Sequence, residues 1–185
     1  MNNMIMAGIC DILESHQELL RIPIRQKAKF EGWLKFELAH YIQKKGYSEV
    51  DVETKGLSNR FRTDITFFDS DCNFYSVELK TSNTNWNMPG IRNGGKPLTK
   101  NIKSIIDDCI KLNSSQGIVA FILFPIPVSD RRWETYFERI VEETGASLNK
   151  EANCRIVSMQ IDEINKCDLL VCTFISRTEK HRRFF

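Results

Sequence analysis

The chain has little of what marks a secreted, membrane-bound or zinc-stabilised protein. Its six cysteines, Cys10, Cys72, Cys109, Cys154, Cys167 and Cys172, include no CxxC pair. Its three histidines, His16, His40 and His181, are far apart. That spacing argues against a structural zinc site, and in a reducing compartment such cysteines serve as small buried hydrophobes. No apolar run approaches the roughly 18–20 residues that a membrane span needs. The N-terminal stretch MNNMIMAGICDILESHQELL has no basic segment, and Asp11 and Glu14 interrupt its apolar character. It reads as neither signal peptide nor anchor, so the expectation is a cytoplasmic protein with no membrane partner. A glycine-rich phosphate loop on a strand-to-helix turn is missing, as is any Ser/His/Asp context, so neither a nucleotide cofactor nor a serine-type hydrolase is expected. Excess charge is missing too: 26 Lys and Arg face 24 Asp and Glu. Binding to an acidic polymer would therefore rest on local clustering.

What is present describes an ordinary folded unit. Hydrophobic residues make up 42% and charged residues 27%, enough apolar material for a core. The 185 residues, without internal repeat or linker, read as one domain over 1–185. A first helix spans about 1–20, with Met4, Ile5, Ile9, Ile12, Leu13, Leu19 and Leu20 near one face, and breaks at Pro23. A second runs over 26–45 and stops at Gly46. Strands follow at 48–54, 61–68 and 74–81, then a polar loop over 82–100. The segment 101–112 is a helix, and GIVAFILFPIP is apolar enough for a strand buried on both faces. Ser129 or Asp130 caps a helix reaching Thr144, closed by Gly145. RIVSMQI and DLLVCTFIS are two more strands, and the tail RTEKHRRFF is basic. The order ααβββαβαββ predicts an α/β fold, a mixed β-sheet flanked by helices.

The chemistry concentrates on strands 61–68 and 74–81. The turn-rich DSDCN between them predicts an antiparallel hairpin, with Phe68 opposite Phe74, Thr66 opposite Ser76, Asp64 opposite Glu78 and Arg62 opposite Lys80. Period-two alternation puts Asp64, Glu78 and Lys80 on one face and Ile65, Phe67, Val77 and Leu79 on the other. Two opposed carboxylates repel unless something positive sits between them. Mg²⁺ prefers oxygen ligands, and Lys80 lies one residue pair along the same face. Together they outline a site for metal-assisted attack on a phosphodiester. A second triplet, Glu53-Thr-Lys55, lacks an upstream Asp at matching distance. In helix 26–45, Glu37 falls beside the apolar stripe of Phe30, Leu34, Leu38 and Tyr41, which makes it the favoured fourth carboxylate. Glu31, at the stripe's edge, is the alternative.

A helix carrying Glu, then strands with Asp64 … Glu78-Leu79-Lys80, then helix, strand and helix resembles the PD-(D/E)xK nuclease superfamily over about 27–125. The resemblance implies a restriction-endonuclease-like core, αβββαβ, with an added N-terminal helix and a C-terminal helix and strands. It implies that Asp64, Glu78 and the Leu79 carbonyl bind Mg²⁺, for which Mn²⁺ substitutes, with Glu37 as a further ligand. It also implies that Lys80 positions or activates the attacking water. Thr63 stands where many members have Pro before the Asp.

Between Lys80 and Asp107 there is no acid, while Arg92, Lys96, Lys100 and Lys103 are basic, with Trp86 interleaved. This positive loop is expected to meet the phosphates of double-stranded DNA. Arg21, Arg25, Lys27 and Lys29, and Arg177, Lys180, Arg182 and Arg183 in the tail, are further candidates. The expected function is a metal-dependent DNA endonuclease, a restriction-type defence enzyme acting as a homodimer. The alternatives are a junction-resolving or repair nuclease, or a DNA-binding module without activity on the same fold.

Overall fold

The computed structural model describes residues 1–55, 62–95, 97–112 and 116–176. Helices α1 (Asn2–Ser15), α2 (Gln17–Gln26) and α3 (Glu31–Lys44) precede strands β1 (Ser48–Lys55), β2 (Arg62–Phe68) and β3 (Phe74–Asn83). Helix α4 (Leu98–Leu112) leads to β4 (Gly117–Ile126), followed by α5 (Thr135–Thr144), the short α6 (Lys150–Asn153), β5 (Cys154–Gln160) and β6 (Lys166–Ile175). The six strands form one mixed sheet in the order β1-β2-β3-β4-β6-β5. Only the β3–β4 pair is parallel, joined through α4. A mixed sheet flanked by helices is thus the architecture the sequence predicts.

Strand alternation divides the core in two. Ile65, Phe67, Val77, Leu79, Ile118, Ala120 and Ile122 pack with Ile9, Leu13, Leu34 and Leu38 of α1 and α3. Val119, Phe121, Leu123, Leu170 and Phe174 pack on the other face with Ile102, Ile105, Phe137 and Ile140 of α4 and α5. Every residue of β4 is buried, as its unbroken apolar run requires when both faces are covered. Burying such side chains stabilises by about 1.5–3 kcal/mol each, and this anchors β3 rigidly beside β4. The outer strand β1 carries Glu49, Asp51, Glu53 and Lys55 along an edge. Charges there oppose strand addition by another chain.

Several boundaries differ from the sequence expectation. The first helical stretch breaks at His16, and α2 runs through Pro23 to Gln26. Buried Leu20 and Ile24 hold α2 against the core on either side of the proline, at the cost of one helix hydrogen bond. Lys27 then takes a left-handed conformation (φ 51°), so α3 starts at Glu31 rather than near Gln26. Neither Ser129 nor Asp130 caps α5: a short 3₁₀ turn (Arg132–Glu134) precedes it with Glu134 at its N-cap, and Asp130 Oδ1 accepts from the Arg132 amide at 2.9 Å. Cys109, Cys154, Cys167 and Cys172 are buried as expected, whereas Cys72 is exposed at the hairpin turn. No helix among the described residues is long and apolar enough to cross a membrane.

Candidate functional site

The β2–β3 hairpin fixes the site. Its turn is closed by Asp69, whose Oδ1 accepts from the amides of Asp71 and Asn73, each at 2.9 Å. The ladder then runs from Phe68↔Phe74 through Thr66↔Ser76 to Ile65↔Val77, the register the sequence predicts. There the pairing stops. β2 stays paired with β1 as far as Lys55↔Arg62, and β3 with β4 as far as Asn83↔Phe124. The two strands therefore part at the point where Asp64 and Glu78 would have faced each other.

Side chains fill the place of the missing ladder. Asp64 Oδ2 accepts from the Leu79 amide at 2.8 Å, and Glu31 Oε2 accepts from the Thr81 amide at 3.0 Å. Strand alternation directs both amides toward β2, so two carboxylates cap donors that would otherwise be stranded. Carboxylates accepting from amides make stronger bonds than neutral pairs, which holds both acids in place. Glu31 is the carboxylate that α3 delivers. Glu37, half-buried, lies about 120° round the helix from it.

Three lysines meet these acids. Lys35 Nζ lies 2.8 Å from Asp64 Oδ1 and 3.0 Å from Glu53 Oε1. Lys111 Nζ is 2.5 Å from Glu78 Oε1 and also donates to the Arg62 carbonyl. Lys80 Nζ is 3.0 Å from Asp108 Oδ2, an ion pair without hydrogen-bond alignment. Glu78 and Lys80 stand opposite Val119 and Phe121 on the face covered by α4, which brings Asp108 and Lys111 down onto them. Five carboxylates (Glu31, Glu53, Asp64, Glu78, Asp108) thus meet three lysines, a formal excess of negative charge.

Burial and that excess set the protonation of the cluster. The Glu78 side chain is 4% exposed. Burial pushes its pKa up to about 7, with Asp64 and Asp108 adding to the rise and Lys111 opposing it. Burial likewise raises Asp108, against the pull of Lys80 and Lys111. For Lys80 burial acts downward, but Asp108, Glu31 and Asp64 outweigh it and hold the ammonium above its ordinary range. Lys35 is raised in the same way: Asp64 and Glu53 overcome its burial.

The donor set is all oxygen, which suits a hard divalent cation. Among the described residues, no three Asp, Glu, His or Cys side chains come together closely enough to hold a metal between them. Mg²⁺ commonly takes one or two protein carboxylates, keeps several waters and shares substrate phosphates. Asp64 and Glu78 meet that requirement in kind.

The loop after β3 is tied down. Thr84 N donates to the Phe124 carbonyl at 2.7 Å, and Arg92 N to the Arg25 carbonyl at 2.8 Å. Ile91 is buried in the core. Buried Lys27 donates to the carbonyls of Trp86 (2.7 Å) and Gly94 (2.5 Å), and its pKa is lowered by burial. Gly95 fits against the Thr84 carbonyl, where any Cβ would sit 2.3 Å from that oxygen. Trp86 is half-buried with the Arg132 guanidinium 5.4 Å from its ring centre, so it is not a bare stacking platform. Arg92 and Lys100 are exposed, Lys103 pairs with Asp107 at 2.9 Å, and Lys96 lies outside the described residues, as does the basic tail.

Lys35, Asp108 and Lys111 belong to the cluster and escaped the sequence reading. For α4 the signal was available: Ser104, Asp108 and Lys111 share a helical stripe beside Ile102, Ile105 and Cys109. No family model, curated protein or solved structure matches the chain, so the functional reading rests on the chemistry of this cluster.

Proposed function

We propose that the chain is a metal-dependent nuclease of the PD-(D/E)xK type, hydrolysing DNA phosphodiesters. The observation that carries the reading is the gathering of Asp64, Glu78 and Lys80 where β2 and β3 part, beside the α4 crossover. The strand order β1-β2-β3-β4, with its one parallel pair, is compatible with a restriction-endonuclease-like core. Asp64 and Glu78 would hold Mg²⁺, which supplies Lewis-acid stabilisation and a more acidic bound water. Lys80, fixed by Asp108 on the same face, orients the attacking water and offsets the charge that grows on the phosphoryl oxygens. The water oxygen bonds to phosphorus and gives up a proton to solvent, the P–O bond to the leaving sugar oxygen breaks, and that oxygen takes a proton from solvent. Exposed Arg92 and Lys100 supply phosphate contacts. Cutting both strands of a duplex suits a two-fold pair of such domains, and the loop after β3, as a recognition element, supports the restriction-type reading.

A DNA-binding module without activity is the second reading, favoured by one observation: Asp64, Glu78 and Asp108 are each already neutralised by a lysine. Incubating plasmid, phage DNA and branched DNA with Mg²⁺ or Mn²⁺ separates the readings. The nuclease reading expects metal-dependent products, and a loss of about 10²-fold or more in Lys80→Ala. Discrete bands indicate a restriction-type enzyme, and preference for branched DNA a resolving or repair role. Binding without cleavage by the parent protein would favour the second reading.

A further inference from the structure

The three lysines of the cluster are not equivalent. The Lys35 side chain is 9% exposed and gripped by two carboxylates, Asp64 and Glu53. Lys80 is paired with Asp108 across the sheet-to-helix contact. Lys111 sits in the last turn of α4, is the most exposed of the three at 26%, and reaches in to pair with Glu78 and the Arg62 carbonyl. Its one carboxylate partner among the described residues is the acid most in need of a cation, since Glu78 is nearly closed to water. A lysine there neutralises a buried acid that would otherwise be costly to ionise. It also occupies the oxygen that a divalent ion would use.

We infer that Lys111 is a displaceable placeholder: its ammonium fills the cation position at Glu78 in the free protein and turns outward to a DNA phosphate when a divalent metal takes Glu78. The inference rests on the nuclease reading and adds to it a named phosphate ligand and a coupling. Metal and DNA bind with positive cooperativity, because the ion that displaces Lys111 frees a positive charge at the mouth of the site. A long, flexible lysine stem at a helix end has the reach for both positions. Lys35, enclosed by two acids, stays where it is.

Titration of Mn²⁺ by calorimetry into the parent protein and Lys111→Met, without DNA, tests the exchange. The methionine keeps the stem and removes the competitor, so Mn²⁺ should bind about ten-fold tighter to the variant. Binding of a short duplex in Ca²⁺ should weaken several-fold in the same variant, and Lys111→Arg should restore it. Should Lys111→Met fail to fold, the parent protein gives the answer through amine-reactive labelling read by mass spectrometry. Mg²⁺ should raise labelling at Lys111 several-fold and leave Lys35 unchanged. Metal bound to the parent protein with unaltered Lys111 labelling, or with no gain in Lys111→Met, would overturn the inference and leave the nuclease reading standing. No metal bound to either protein would overturn the inference and leave the nuclease reading to the cleavage assay.

Discussion

Burial and charge pull Glu78 in opposite directions. Closed to water on β3, it is pushed to a pKa of about 7 by burial and by Asp64 and Asp108, while Lys111 resists. A folded-state value above the ordinary 4.5 means that the folded chain holds a proton the unfolded chain gives up. The contribution of Glu78 to stability is therefore fully present below about pH 4.5 and is lost as pH rises through about 7. Glu78→Gln removes that dependence, so relative to the parent it should gain stability as pH rises across this window. Chemical denaturation of both proteins at several pH values measures it. A constant difference between them would contradict the account of Glu78.

At the scale of the elements, the hairpin was legible because two independent signals agreed: the Asp69 turn and strict alternation of Ile65, Phe67, Val77 and Leu79. In α3 the apolar stripe favours Glu37, whereas the structure brings Glu31 to the cluster, because the helix's inner face contains charge. Setting the stripe by Phe30, Leu34, Leu38 and Tyr41 alone turns it toward Glu37. Buried Lys35 and Ile42 move its centre round to Glu31. A lysine buried at 7% exposure is invisible to apolar periodicity, since its partner Asp64 is far away in the chain. The start of α3 was hidden in the same way by Lys27, a non-glycine residue with positive φ. Two conservative variants test which carboxylate α3 supplies. Glu31→Gln should lower metal-dependent cleavage by about ten-fold or more, through loss of the charge beside Thr81 and Lys80. Glu37→Gln should stay within about two-fold of the parent. Single-turnover rates decide, and the reverse order would return the role to Glu37.

Across the described residues, the fold gathers a buried charged cluster where β2 and β3 part, at the side of a well-packed sheet. The buried β4 holds β3 straight, β2 leaves β3 after Ile65↔Val77, and α3 and α4 send charged side chains into the gap from opposite faces. Sheet class, strand sequence and the hairpin register from Phe68↔Phe74 to Ile65↔Val77 follow from local patterning. The lysine partners do not, because they are set by how two helices cross the sheet. The most direct test of the central claim is cleavage of supercoiled plasmid in Mg²⁺ by the parent protein and by Asp64→Asn, both shown to be folded by their thermal transitions. The account predicts nicked or linear product from the parent, and at least about 10²-fold less from the variant. Equal rates from both proteins would contradict it.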